Sequence, residues 1–179
     1  IDGNAFYNCY SLQKITIPDS VSTIMNTVFG ECYSLQEITI PNGITEISYG
    51  AFGYCSNLTS ITIPSSVTSI NDFAFRHCTK LTSIDIPDTV QSIGKNIFYG
   101  CSELVNVKLS SNISTISEGA FQGCTKLKTI TIPNNVTSID AWAFRDCTSL
   151  ETMDIPDSVT LLGQQAFENC TSLESVKLS

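Results

Sequence analysis

Apolar residues recur along this chain in fixed columns at an interval of 23 residues, with no insertion. Leucine holds one column without a break: Leu12, Leu35, Leu58, Leu81, Leu104, Leu127, Leu150 and Leu173. A second runs Ile15, Ile38, Ile61, Ile84, Val107, Ile130, Met153, Val176, and a third Ile17, Ile40, Ile63, Ile86, Leu109, Ile132, Ile155, Leu178. Every replacement within these columns is apolar, which is the behaviour of a buried seam. The Ile-x-Ile step has period two, so both isoleucines face one way and the residue between them faces the other. β-Branched residues dominate the step and predict a short strand. Proline follows in six copies, for example Pro64 and Pro133, and marks the strand end because it has no N–H to donate. Small polar pairs such as Asp19-Ser20 and Asn134-Asn135 then predict a turn. The Val-x-x-Ile step, as in Val67 to Ile70, is read as a second short strand or an extended segment.

Phenylalanine and cysteine keep the same beat. Phe6, Phe29, Phe52, Phe75, Phe98, Phe121, Phe144 and Phe167 each precede, by three positions, Cys9, Cys32, Cys55, Cys78, Cys101, Cys124, Cys147 and Cys170. The Ala-Phe-x-x-Cys piece has helical spacing but is too short for a stable helix, so it predicts one helical or 3₁₀ turn. A period held this strictly implies a solenoid, in which one short unit stacks on copies of itself. The expected architecture is largely β, with about eight rungs roughly 4.8 Å apart, a rod of about 40 Å. Nothing in 1–179 suggests a linker or a boundary, so the chain reads as a single domain. It starts and stops within a repeat, and neither end carries a polar cap. Two readings stand open: a piece of a longer array, and end-to-end self-association through the uncapped rungs.

Composition narrows the function. Nine basic and seventeen acidic side chains give a net charge of −8. That argues against a nucleic-acid partner, which needs clustered Lys and Arg. No transmembrane run or secretory leader is visible, so membrane insertion is not expected. Cysteines in one column lie one rung apart with parallel Cβ vectors, near 4.8 Å where a disulfide wants about 3.8 Å. A ladder of reduced, buried thiols is therefore expected, with one or two strained bonds as the alternative. There is no Cys-x-x-Cys and no second ligand type in the column, so neither a metal nor a cofactor is expected.

The pattern Leu-x-x-Ile-x-Ile-Pro-x-x-Val-x-x-Ile-x-x-x-Ala-Phe-x-x-Cys resembles the BspA-like leucine-rich repeat family, also called the Treponema pallidum type, over the whole chain. The resemblance implies an α/β, largely β, right-handed leucine-rich repeat coil with a parallel sheet on its concave side and short helical turns. It also implies a surface adhesin of host-associated bacteria or protists, of a kind linked with host matrix proteins and co-aggregation. Departures are few: Ser110 replaces the proline, Val28 and Ile97 replace alanine, and Leu109 and Leu178 replace isoleucine. They leave local strand endings open.

No catalytic constellation emerges. His77, the only histidine, has no acid or nucleophile at a meaningful spacing and reads as an exposed turn residue. No Gly-rich phosphate loop or His-Glu-x-x-His is present. The four Asn-x-Ser/Thr sequons, at Asn57, Asn112, Asn135 and Asn169, are uninformative in so Asn- and Thr-rich a repeat.

The outward strand positions form the candidate ligand-binding set: Lys14, Thr16, Glu37, Thr39, Ser60, Thr62, Asp85, Asn106, Lys108, Thr131 and Asp154. These columns change chemistry while the apolar ones do not, with Asp85 to Asp154 as a charged centre. Asp85 beside Lys108 is a candidate cross-strand pair. Turn aromatics are a second candidate surface: Tyr10 with Tyr33, then Tyr7, Tyr54 and Tyr99, then Phe73 and Trp142. The expectation is a non-enzymatic binding module of a cell-surface or secreted protein, acting on a protein or glycoprotein ligand. The alternative is an intracellular protein-interaction scaffold of the same fold, made plausible by the thiols.

Overall fold

In the computed structural model, which describes residues 1–178, the chain is a parallel β-solenoid of about seven turns. The Ile-x-Ile steps supply one set of strands: β1 (Lys14–Thr16), β2 (Glu37–Thr39), β5 (Ser83–Asp85), β7 (Asn106–Lys108), β10 (Thr152–Ile155) and β12 (Ser175–Leu178). The Val-x-x-Ile steps supply the other: β3 (Glu46–Ile47), β4 (Ser69–Ile70), β6 (Ser92–Ile93), β8 (Thr115–Ile116), β9 (Ser138–Ile139) and β11 (Leu161–Leu162). The second-strand reading of that step therefore holds in these six rungs. Pairing is parallel with each residue opposite its own column mate, as in Ile15 with Ile38 and Ile70 with Ile93.

The first set is not one continuous ladder. It falls into the pairs β1–β2, β5–β7 and β10–β12, and the second set into β3–β4–β6 and β8–β9–β11. Rungs Ile61–Ile63 and Ile130–Ile132 lack strand pairing, yet all four isoleucines stay buried. A rung this short makes only a few ladder bonds, so a small tilt opens them while side-chain packing keeps the register.

The core is columnar. Phe29, Phe52, Phe75, Phe98, Phe121 and Phe144 are fully buried, and ring centroids along the column lie 5.3–5.7 Å apart in near-parallel stacks. Val28 and Ile97 are accommodated in the alanine column at zero exposure. Ser110, at the proline position, is also buried. Its hydroxyl donates to the Val90 carbonyl at 2.6 Å and accepts the Asn112 N–H at 3.1 Å, and β7 still ends where β5 does.

Among the described residues there is no helix. The Ala-Phe-x-x-Cys piece is a run of β-turns. In the third rung, Ala51 N–H donates to Ser48, Gly53 N–H to Gly50 and Cys55 N–H to Phe52, each three residues back. The intervening N–H groups of Gly50, Phe52 and Tyr54 donate forward to Asp72, Ala74 and Arg76 of the next coil. Gly50 and Tyr54 have positive φ (58° and 63°), which makes the first and third turns type II. A 3₁₀ turn would keep every N–H within its own coil. Alternating inward and forward donation instead ties each turn to its neighbour, so stacking selects it.

Candidate functional site

All eleven candidate residues are exposed and share the face made by the Ile-x-Ile strands. They line three successive depressions. The first, of about 250 Å³, is bounded by Lys14, Thr16, Glu37, Thr39, Ser60 and Thr62. The second, of about 430 Å³, includes Asp85, Asn106, Lys108 and Thr131. The third and largest, of about 840 Å³, is bounded by Thr131 and Asp154 together with Asn134, Thr152, Asp157 and Ser175. A strand's alternation places these side chains outward because the isoleucines between them fill the core.

The charges on this face are ordered by the repeat. Lys14 Nζ meets Glu37 Oε2 at 2.7 Å, one rung on, which raises the lysine pKa and lowers that of the glutamate through the hydrogen bond first and charge second. Lys128 and Glu151 pair likewise at 3.1 Å, as do Lys95 with Glu118 at 2.9 Å and Glu103 with Lys126 at 2.6 Å on other faces. Each pair joins column mates 23 residues apart. Asp85 and Lys108 are register partners but form no ion pair within 4.0 Å, so the expected cross-strand bridge is not made. Both are exposed, and water competes for such contacts. Nearby, Asp88 is held below the usual carboxylate range by the Ser111 amide and hydroxyl, with Lys108 adding to the effect.

His77 is not the exposed residue expected. It is half-buried, with its ring 4.8 Å from Tyr54 and 5.0 Å from Tyr99, and burial followed by the charge of Arg76 lowers its pKa. The turn tyrosines of neighbouring rungs close over it. Tyr10 and Tyr33 stack at 5.3 Å, and Trp142 Nε1–H donates to Gln165 at 2.8 Å. The cysteines are all free thiols, six of them buried, and each from Cys32 onward donates Sγ–H to the phenylalanine carbonyl of the preceding coil.

Column-by-column reading missed a hydroxyl ladder. Ser56, Thr79, Ser102, Thr125, Thr148 and Thr171 each donate to a carbonyl one rung earlier, at 3.2–3.5 Å. Its signal was present as a Ser or Thr directly after the cysteine in six of the eight copies, the first two holding Tyr10 and Tyr33. It also missed Arg76, whose guanidinium carbon lies 5.2–5.4 Å from the ring centres of Tyr54, Phe73 and Tyr99. Among the described residues no group of three or more His, Cys, Asp or Glu side chains is placed to hold a metal ion, and no helix is long and apolar enough to cross a membrane.

Comparison with known proteins agrees with this geometry. No curated protein sequence matches. A leucine-rich repeat protein of Bacteroides ovatus is 33% identical with a TM-score of 0.89, covering 100% of this chain and 52% of that one. A leucine-rich cell surface protein of Faecalibacterium prausnitzii is 30% identical with a TM-score of 0.66, covering 98% and 62%. The leucine-rich repeat protein of T. pallidum is 28% identical with a TM-score of 0.73, covering 97% and 70%. The chain thus spans about half of the Bacteroides protein and under two thirds of the Faecalibacterium one. No catalytic family is indicated. The model of the BspA type leucine-rich repeat region matches residues 1–113 and 91–179 in six copies, and the chain belongs to that family.

Proposed function

We propose that the chain is a non-enzymatic adhesion module of a cell-surface or secreted protein, and that it binds a protein or glycoprotein ligand through the face of the Ile-x-Ile strands. The observation that carries this reading is the run of three depressions along one face, lined by polar side chains whose identity varies from rung to rung. A solenoid presents such a surface without spending core residues on it. Lys108 and Asp85, exposed and not bridged to each other, are available to a partner's charges. Surface exposure in the parent protein is supported by the similar Faecalibacterium protein, which is described as a cell surface protein.

The thiol ladder bears on the alternative of an intracellular scaffold. Free thiols suit a reducing compartment. These, however, are shielded by packing, so they also suit an oxidising one, and they lend the scaffold reading no special support.

The test is surface plasmon resonance against a panel of extracellular matrix proteins, with the native chain and a D85N/K108Q/D154N variant. Binding that falls at least about tenfold in the variant supports the reading, since loss of charged contacts at an interface costs on this scale. Equal binding by the two chains removes the strand face as the site.

A further inference from the structure

The turn face of the first rungs carries a second surface that the strand face does not explain. Tyr7, Tyr10, Tyr33 and Tyr49 are all substantially exposed there. Beside them Tyr7, Tyr49, Tyr54, Phe73, Glu31 and Arg76 bound a groove of about 130 Å³. Its floor is bare because Gly30, Gly50 and Gly53 contribute no side chains. At Gly53 a side chain is sterically allowed, since the nearest atom to an added Cβ is Gly50 O at 3.4 Å. Its column mates further along are Arg76, Tyr99, Gln122, Arg145 and Glu168, all larger than glycine.

The rings around the groove sit on the turn positions of the repeat. Tyr54, Phe73 and His77 have φ of 63°, 59° and 55°, in the left-handed region that bulky side chains avoid. The same two columns take positive φ in every rung, with Gly50, Gly100, Gly119 and Gly123 at some of them and Thr27, Glu31, Trp142 and Gln165 at others. What is particular to these rungs is the side chains: the rings of Tyr54 and Phe73, carried on those turn positions, lie against Arg76.

Arg76 is the charged centre. It has no ion pair among the described residues, and its Nε is buried without a hydrogen-bond partner. The Nε of its column mate Arg145 likewise makes no hydrogen bond but lies 2.8 Å from the Glu168 carboxylate, so the two arginines differ in having an anion beside them. A guanidinium flanked by rings but lacking an anion is matched by a ligand carboxylate. Glu31, which also lines the groove, has its oxygens engaged by the hydroxyls of Tyr7 (2.7 Å) and Tyr33 (2.9 Å). The main chain offers little to a peptide strand: the N–H groups of Gly50, Ala51, Phe52, Gly53 and Tyr54 all donate within the coil stack. Recognition there falls to ring faces, phenol hydroxyls and one cation. We infer that this groove binds a carboxylated sugar, with aromatic faces against its C–H surface and Arg76 on its carboxylate.

Isothermal titration with tri-galacturonate, with neutral maltotriose and with a hexaglutamate peptide tests this. The expected result is saturable binding of tri-galacturonate only, weakened at least about tenfold in Arg76→Gln. It is likewise weakened in Gly53→Gln, which fills the groove and keeps the arginine. Arg145→Gln, in the same column but ion-paired, retains native affinity. Failure of tri-galacturonate to bind overturns the proposal. So does equal binding of maltotriose, unchanged affinity in both groove variants, or tighter binding of the peptide.

Discussion

The Cys101 thiol donates to the carbonyl oxygen of Phe75 at 3.1 Å, and that same oxygen accepts the Cys78 N–H at 3.1 Å. One carbonyl thus closes its own turn and receives the coil above. The cysteine column is a fastening between rungs as well as a filler of space, since the weak S–H donor finds a partner on every level from Cys32 onward.

Replacing Cys101 by alanine leaves the Phe75 oxygen bonded to Cys78 N–H, so no orphan acceptor is created. The loss is one sulfur's packing and a weak hydrogen bond, about 1–2 kcal/mol. Urea denaturation reads this directly. A loss beyond about 4 kcal/mol would mean that the column does more than pack and fasten.

The buried thiols make stability depend on alkaline pH. Burial pushes Cys101 up to about 12 and Cys32 and Cys170 up to about 11, and raises Cys55, Cys78, Cys124 and Cys147 as well. The unfolded chain releases these protons near pH 8.5, while the folded chain retains them to higher pH. Stability is therefore full below about pH 8.5 and declines as pH rises toward the folded values, by about 1.4 kcal/mol per pH unit for each such thiol. Thermal melts from pH 7 to 10.5 will show a steepening fall in Tm. Cys101→Ala will reduce the slope by one thiol's share, and identical slopes in the two proteins would contradict the assignment.

Gly94 and Gly53 should respond oppositely to a methyl group. A Cβ on Gly94 would lie 2.3 Å from Asp72 N and 2.4 Å from the Asn71 carbonyl carbon, both backbone atoms of the preceding coil. Rungs cannot part there without losing their packing, so Gly94→Ala should cost about 1–3 kcal/mol. Gly53→Ala meets only ordinary contacts and should change stability by less than about 0.5 kcal/mol. Comparing the two denaturation midpoints settles whether the coil spacing is as tight as described.

Phe98 stacks on Phe75 at 5.6 Å and on Phe121 at 5.5 Å. Phe98→Ala removes both contacts in mid-stack and should cost about 3–5 kcal/mol. Phe6 has one such neighbour, Phe29, and is half-buried, so Phe6→Ala should cost clearly less. Because each rung touches only its neighbours, hydrogen exchange should rise around residues 75–121 in the first variant and near the N-terminal rung in the second. Uniformly raised exchange would show that the stack opens only as a whole.

The repeat interval, the inward columns and the outward polar positions were all legible in the amino-acid order. One-rung stacking sets each residue against its own counterpart, and the apolar columns from Leu12 onward can be buried together in only one register. The Ala-Phe-x-x-Cys turn was not legible. A three-residue spacing suits a 3₁₀ turn and a chain of β-turns equally, and the choice rests on where the alternate N–H groups donate, which exists only once the next coil is present. The same holds for Ser110, whose hydroxyl finds Val90 across the coil, for the partner of each lysine, and for the rings around Arg76. Local pattern determined the coil and its stacking. Contacts between coils decided turn geometry, charge pairing and the grooves, because those depend on atoms a rung or more away, whose placement no local preference encodes.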